Sequence, residues 1–379
     1  MGKPIYLDYN ATTPVAPEVF NEMMPYFQTY YGNPSSSYSI GKKNLEAIGN
    51  ARKQVAAMLN ANPAEIIFTS GGTESNNHAI RGIAFANREK GNHIITSSVE
   101  HPAVTNVCRY LADQGWEVSW LPVDRTGKVN PKDVEDAIHS ETVLVTIMHA
   151  NNEVGTIQPI KEISDIARQK KVLFHTDAAQ SVGKIVSDVK SLGVDLLSIA
   201  GHKLYAPKGI GALYIKRGVK IENLLYGAGQ ESGVRPGTEN VALIVALGKA
   251  CELAAEKLDE NNRNMFSTRG MLLKGLSHNF SNMEVNTDLA NSLPNTLSIA
   301  FRNIDAQKLT IEIANEVLIS TGSACHSGIT EISDVLKAMK VDLITGANTV
   351  RISTGKYTTT EEVDKAVESI SKAVLKLSQ

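Results

Sequence analysis

Apolar and polar residues alternate along the middle of this chain with two periods. Short runs rich in apolar residues recur at Ile66 to Thr69, His93 to Ser97, Glu117 to Leu121, Val143 to Met148, Val172 to Thr176, Asp195 to Ile199 and Gly211 to Ile215. Each has the length and composition of a strand. Amphipathic stretches lie between most of them, as in Asn44 to Leu59, Glu74 to Arg88 and Ile160 to Lys170, and read as helices. Alternation at this spacing predicts an α/β fold with a mostly parallel sheet and helices on both faces. Runs such as Val143-Leu144-Val145-Thr146-Ile147-Met148 suit strands buried on both sides. Ligands of such sheets bind beyond the carboxyl ends of the strands.

The pattern changes near residue 257. Lys257 to Phe280 reads as a long charged helix. Thr296 to Phe301, Val317 to Ser320 and Thr349 to Ser353 then read as strands, with helices starting at Ala306 and Thr360. This predicts a smaller α+β domain, which Ile5-Tyr6-Leu7-Asp8 joins. The expected division is 15–257 for the large domain, and 1–14 with 258–379 for the small one.

Composition narrows the function classes. A formal net charge of -2 gives no electrostatic reason to expect nucleic acid or an anionic membrane. The first residues lack the apolar run of a signal peptide, and no apolar run approaches the roughly 20 residues that cross a bilayer. The cytoplasm is the expected location. Three cysteines do not build a disulfide framework, which fits a reducing compartment. Cys108 and Cys251 fall in helical patterns and read as small core residues. Cys325 differs, because Ser320-Thr321-Gly322-Ser323-Ala324-Cys325-His326-Ser327-Gly328 surrounds it with small residues. That composition predicts a flexible loop with an accessible thiol, partly nucleophilic near neutral pH. One Cys and one His do not make a metal site.

Chemistry-bearing residues follow strand after strand. Gly71-Gly72-Thr73-Glu74 follows one strand and opens a helix, the arrangement of an anion site built from backbone N–H groups and a hydroxyl; a plain turn and cap is the competing reading. His101 follows the next, placed to stack on a flat ring or move protons, or simply to cap a helix. Asn151 and Asn152 follow Met148-His149-Ala150, Asp177 and Gln180 follow the strand ending at Thr176, and Lys203 follows Ser198-Ile199-Ala200-Gly201-His202. A Lys and an Asp at neighbouring strand ends are what a pyridoxal phosphate site needs. The amine forms a Schiff base with the aldehyde, and the carboxylate keeps the pyridinium nitrogen protonated. Arg351 alternates with apolar neighbours in a strand and needs an anion partner, either a substrate carboxylate or a structural Asp or Glu.

With these residues in view, the chain resembles the pyridoxal-phosphate cysteine desulfurases of the NifS/IscS group, within the class V aminotransferases. The resemblance runs nearly end to end, from Tyr6-Leu7-Asp8-Tyr9-Asn10-Ala11-Thr12-Thr13-Pro14 to Arg351-Ile352-Ser353-Thr354-Gly355-Lys356. Between them lie Tyr31-Gly32-Asn33-Pro34, Glu100-His101-Pro102, His149-Ala150-Asn151-Asn152-Glu153, His175-Thr176-Asp177-Ala178-Ala179-Gln180, Gly201-His202-Lys203 and Arg235-Pro236-Gly237-Thr238. It implies the PLP-dependent transferase fold of type I, with a seven-stranded sheet in the large domain and the catalytic-cysteine loop, about 320–335, in the small one. It also implies a homodimer with a shared active site.

By the same resemblance, Lys203 carries the Schiff base and moves protons, His101 stacks on the ring, Asp177 pairs with the ring nitrogen and Gln180 bonds the ring hydroxyl. Gly72, Thr73 and His202 hold the phosphate, with Thr238 arriving from the other subunit. Asn151 contacts cofactor and substrate, and Arg351 holds the substrate carboxylate. Cys325 takes the sulfur of L-cysteine as a persulfide for an acceptor protein such as a scaffold or thiolation protein, in iron–sulfur cluster assembly or another pathway. No direct nucleic-acid or membrane partner is implied, and no metal.

The chain departs from the family pattern at Ala200, where a phosphate-bonding Ser is usual, at Ala206, where Gly is usual, and at Ile332, where Pro is usual. The Cys325-His326 pair is similar to selenocysteine lyases and to the desulfurases of DNA phosphorothioation. A selenocysteine lyase or another β-lyase of the same fold is therefore the alternative activity.

Overall fold

The computed structural model describes residues 3–326 and 329–379, with the side chains of 323–331 outside that description. After a short strand β1 (Ile5–Tyr6), seven strands follow: β2 (Ile66–Thr69), β3 (His93–Ser97), β4 (Glu117–Leu121), β5 (Thr142–Thr146), β6 (Leu173–Asp177), β7 (Leu196–Ala200) and β8 (Gly211–Ile215). They form one sheet in the order β2-β8-β7-β6-β5-β3-β4. All pairings from β7 to β4 are parallel, and β8 runs antiparallel to both β7 and β2. The mostly parallel sheet predicted from the sequence is therefore present, with strand ends shifted by one or two residues.

Alternation explains the two covered faces. Ile94, Leu144, Leu196 and Leu213 point into a cluster with Ile80, Ile83, Val107 and Leu111 of the helices Gly72–Ala86 and Pro102–Asp113. Their chain neighbours Ile95, Val145, Leu197 and Ala212 point into a second cluster on the other face. Successive strand residues face opposite ways, so both faces bury apolar area at roughly 25 cal/mol per Å².

Close backbone approach fixes the strand-to-helix turn after β2. Gly71 adopts φ 151°, a region open mainly to glycine. A Cβ on Gly211 would lie 2.7 Å from the Gly71 Cα, so both positions exclude side chains. The helix Gly72–Ala86 consequently starts hard against the end of β7.

A four-stranded antiparallel sheet follows, in the order Ser320–Thr321, Thr349–Ser353, Thr296–Ala300 and Glu284–Val285. Its core gathers Leu297, Ile299, Val350 and Ile352 with Leu272, Leu276, Val363 and Ile370 from the helices Leu258–Asn279 and Thr360–Leu377. Leu7 belongs to this cluster, and β1 pairs in parallel with Val317–Leu318. The segment around Cys325, expected to be a flexible loop, contains two short strands. Ser323–His326 and Ile329–Ile332 pair antiparallel, with Cys325 opposite Thr330, and the β-branched residues of the second strand favour that extended backbone.

Candidate active site

The carboxyl ends of β6 and β7 open into a cavity of about 400 Å³, a volume suited to a small ligand. Gly72, Thr73, His101, Asp177, Gln180, His202, Lys203 and Arg351 all line it. These are most of the candidate residues read from the sequence, drawn together from separate strand ends.

Lys203 ends the short helical turn Gly201–Lys203 that leaves β7. Its Nζ donates to the carbonyls of Asn10 at 2.6 Å and Ala11 at 2.7 Å. Burial first, and then the nearby Arg351 guanidinium, push its pKa down to about 8, against the opposing pull of Asp8 and Asp177. An amine so placed is partly neutral near neutral pH. Asp177, at the end of β6, is buried, and its oxygens accept from Asn76 Nδ2 at 2.7 Å and the Ala179 N–H at 2.9 Å. Two donors lock that carboxylate in one orientation.

His101 caps the helix Pro102–Asp113, its Nδ1 accepting the Ala103 N–H at 3.1 Å. That bond puts the proton of the neutral ring on Nε2. Its outer face is exposed while the cavity wall crowds the rest, and desolvation and then the Lys203 charge lower its pKa, opposed by Asp177. His202 contacts the Thr12 hydroxyl through Nδ1 at 3.2 Å. Burial and then Lys203 depress its pKa to about 4, so it is neutral at physiological pH.

Arg351 pairs with Asp8 at 2.7 Å and donates to the Asn152 carbonyl at 3.2 Å and the Ser320 hydroxyl at 3.1 Å. Its Nε has no partner among the described residues. Both anions foreseen for this strand arginine thus remain in play, with Asp8 present as the structural one.

Two candidates lie elsewhere. The Asn151 side chain is fully buried, donates to the Val99 carbonyl and accepts the N–H groups of Glu153 and Val154; its neighbour Asn152 lines the cavity instead. Thr238 lines a separate groove with Tyr31, Asn33 and Glu239. The thiol of Cys325 falls outside the described residues. Cys108 and Cys251 are free and buried, with burial pushing both thiols up to about 12.

Sequence reasoning passed over Asn76, Asn10 and Glu100. Asn10 and Glu100 sat inside quoted motifs without a role, and Asn76 lies two residues beyond Glu74. Glu100 lies beneath His101, where it accepts from the Ser97 hydroxyl at 2.6 Å and the Met148 N–H at 2.9 Å. Burial drives its pKa up to about 8. No charge pattern along the chain marks such a buried acid.

A second gathering of ligand-type residues, His93, Glu117 and His139, sits at the opposite ends of the strands. The two imidazoles stack at 4.1 Å, and both ring nitrogens of His93 are bonded to the hydroxyls of Thr142 and Ser119. His93 has no lone pair left for a metal.

The donor set at the cavity fits pyridoxal 5′-phosphate. A partly neutral lysine, an immobilised carboxylate, a neutral histidine ring and a helix N-terminus beside a threonine hydroxyl face one space. The fold and this site define a fold-type-I PLP enzyme. Residues 5–366 match the family described as Aminotransferase class-V, and the chain belongs to it. It is 49% identical over 379 residues to cysteine desulfurase IscS of Methanosarcina thermophila, covering 99% of this chain and 93% of that protein. A solved NifS-like protein superposes with a TM-score of 0.93 at 39% identity, covering 99% of this chain and 100% of that one. A structure of SspA in complex with cysteine superposes at 0.83 with 38% identity, covering 94% and 100%.

Proposed function

We propose that this chain is a pyridoxal-phosphate-dependent cysteine desulfurase. The net reaction turns L-cysteine and the Cys325 thiol into L-alanine and a Cys325 persulfide, breaking the substrate C–S bond and forming an S–S bond. The observation that carries the reading is Lys203, held partly neutral in a cavity beside the locked carboxylate of Asp177. The names of the relatives favour cysteine over selenocysteine as substrate.

Bound PLP supplies an electron sink that stabilises a carbanion on the substrate. Lys203 Nζ is the nucleophile that captures the cofactor, and once free it is the base that moves a proton on the substrate. Asp177 would keep a proton on the ring nitrogen, and the His101 ring, with its Nε2 proton available, would border the bound cofactor. Thr73, Gly72 and the first turn of the helix Gly72–Ala86 receive the phosphate, where the helix dipole favours negative charge. Neutral His202 adds a donor there without adding charge. Arg351 binds the substrate carboxylate, with Asp8 holding the guanidinium in place. Asn152 is better placed than Asn151 to touch substrate, because it lines the cavity.

A homodimer completes the site in this reading. Thr238 lies outside its own chain's cavity, and a second copy would bring its Thr238 to the phosphate. Tyr31 and Tyr226, 75% and 80% exposed, are aromatic surface suited to that contact. The persulfide passes to an acceptor protein, a scaffold of iron–sulfur cluster assembly or a thiolation protein. The cytoplasm is the proposed location; the two buried free thiols fit a reducing compartment.

The test is stoichiometric. The purified protein loaded with PLP and given L-cysteine should yield equal alanine and sulfur. Cys325→Ala should keep the cofactor and form no protein-bound persulfide. Undiminished sulfide release by that variant would refute the role of Cys325.

A further inference from the structure

Behind the cavity lies a lysine without a counter-ion among the described residues. Lys184 is 5% exposed, and the charged groups acting on it are the cations Lys203 and Arg351. Its Nζ donates to Gln180 Oε1 at 2.8 Å and to Asn10 Oδ1 at 3.0 Å. Gln180 Nε2 in turn donates to the Asn10 carbonyl at 2.9 Å, the same carbonyl that receives Lys203 at 2.6 Å. Asn10 Nδ2 faces the Asn152 carbonyl at 3.1 Å and the Thr296 hydroxyl at 2.8 Å.

The two ends of a side-chain amide have nearly the same shape, so hydrogen bonds alone decide which way it points. An ammonium offers only donors, and even a neutral amine here turns both its N–H groups to oxygens. We propose that Lys184 is a positioning residue: it fixes the Gln180 amide with its oxygen inward, whereas the Asn10 amide is held as well by Asn295 Nδ2, at 2.9 Å from Asn10 Oδ1. Gln180 then presents an N–H to the cofactor's ring oxygen. This rests on the proposed PLP site. It goes beyond that reading in assigning a function to a group that does not line the cavity.

Without Lys184, Gln180 Oε1 loses its donor, and the amide is held only by the bond from its Nε2 to the Asn10 carbonyl. A turned amide points an oxygen at an oxyanion, which repels it. Lys184→Met, close in length and unable to donate, isolates this effect. PLP affinity of the unloaded protein should fall roughly tenfold or more. In the loaded variant the midpoint of the cofactor's pH-dependent absorbance should move to higher pH, because an oxyanion that loses a donor holds its proton more tightly. In a Gln180→Leu background the same substitution should change PLP affinity less than about twofold, since the amide it acts through is gone. Equal losses in both backgrounds, or an unmoved midpoint, would overturn the role.

Failure of the unmodified chain to take up PLP would instead overturn the proposed function and the positioning role together.

Discussion

The two ends of the seven-stranded sheet hold similar residue types and contrast in what those residues have left to give. At the amino ends of β3 and β4, His93 spends both ring nitrogens on hydroxyls and stacks against His139. At the carboxyl ends of β6 and β7, His101, His202, Lys203 and Arg351 border an open cavity, and Arg351 keeps a buried Nε without a partner among the described residues. Residue type alone therefore does not make a site. Valence directed into space does, and a sheet provides that space where its strands end and its connections diverge.

Lys203→Ala breaks the active end outright. It should abolish covalent retention of PLP and lower desulfuration on the order of 10³-fold, read by absorbance of the dialysed protein and by alanine release. Next in size, Arg351→Ala should raise KM for L-cysteine by roughly 10- to 100-fold with a smaller change in kcat, because uniform binding of the carboxylate is lost. A variant with unchanged KM would assign Arg351 to Asp8 alone. The pH profile of cofactor capture comes third. Lys203 must lose its proton to act, and its pKa lies at about 8, so the capture rate of the unloaded protein should rise roughly tenfold from pH 7 to 9 and then level. A flat profile in stopped-flow absorbance would remove the neutral amine from the argument.

A smaller effect concerns Ala200. A Cβ on Gly72 would lie 3.1 Å from the Ala200 Cβ, so the side chain at 200 faces the first turn of the helix assigned to the phosphate. Ala200→Ser adds a hydroxyl there and should tighten PLP binding severalfold, about 1 kcal/mol; an unchanged Kd would refute this. The smallest effect belongs to the opposite end. His139→Ala should leave turnover within about twofold and change stability by less than ~1 kcal/mol, since that exposed ring contributes only stacking on His93 and surface contacts with the Glu141 N–H and the Glu117 carboxylate. A large loss of activity would erase the contrast between the two ends.

Much of this was legible along the chain, and the reason is periodicity. Fully buried strands such as Leu196–Ala200 are short apolar runs, and polar residues placed just beyond them, Asp177 and Lys203 among them, fall at one edge of a parallel sheet. The core of the small sheet was equally readable from alternation in Thr349–Ser353. What stayed hidden depends on distance or on turns. Asp8 meets Arg351 across 343 positions, and Lys184 reaches Asn10 across 174; no local pattern encodes either. At Asn151 and Asn152 the chain leaves the strand in a turn, where alternation no longer tells which amide faces the cavity. The strand through Cys325 was obscured by its small residues, which carry little strand signal on their own.

The contact between Asp8 and Arg351 has a consequence for the making of the protein. A ribosome releases Asp8 343 positions before Arg351. Before Arg351 emerges the nascent chain can complete its large sheet, yet it lacks the guanidinium assigned to the amino acid substrate and the strand that pairs with Asp8. Fragments from interrupted translation or early proteolysis would lack that half of the site.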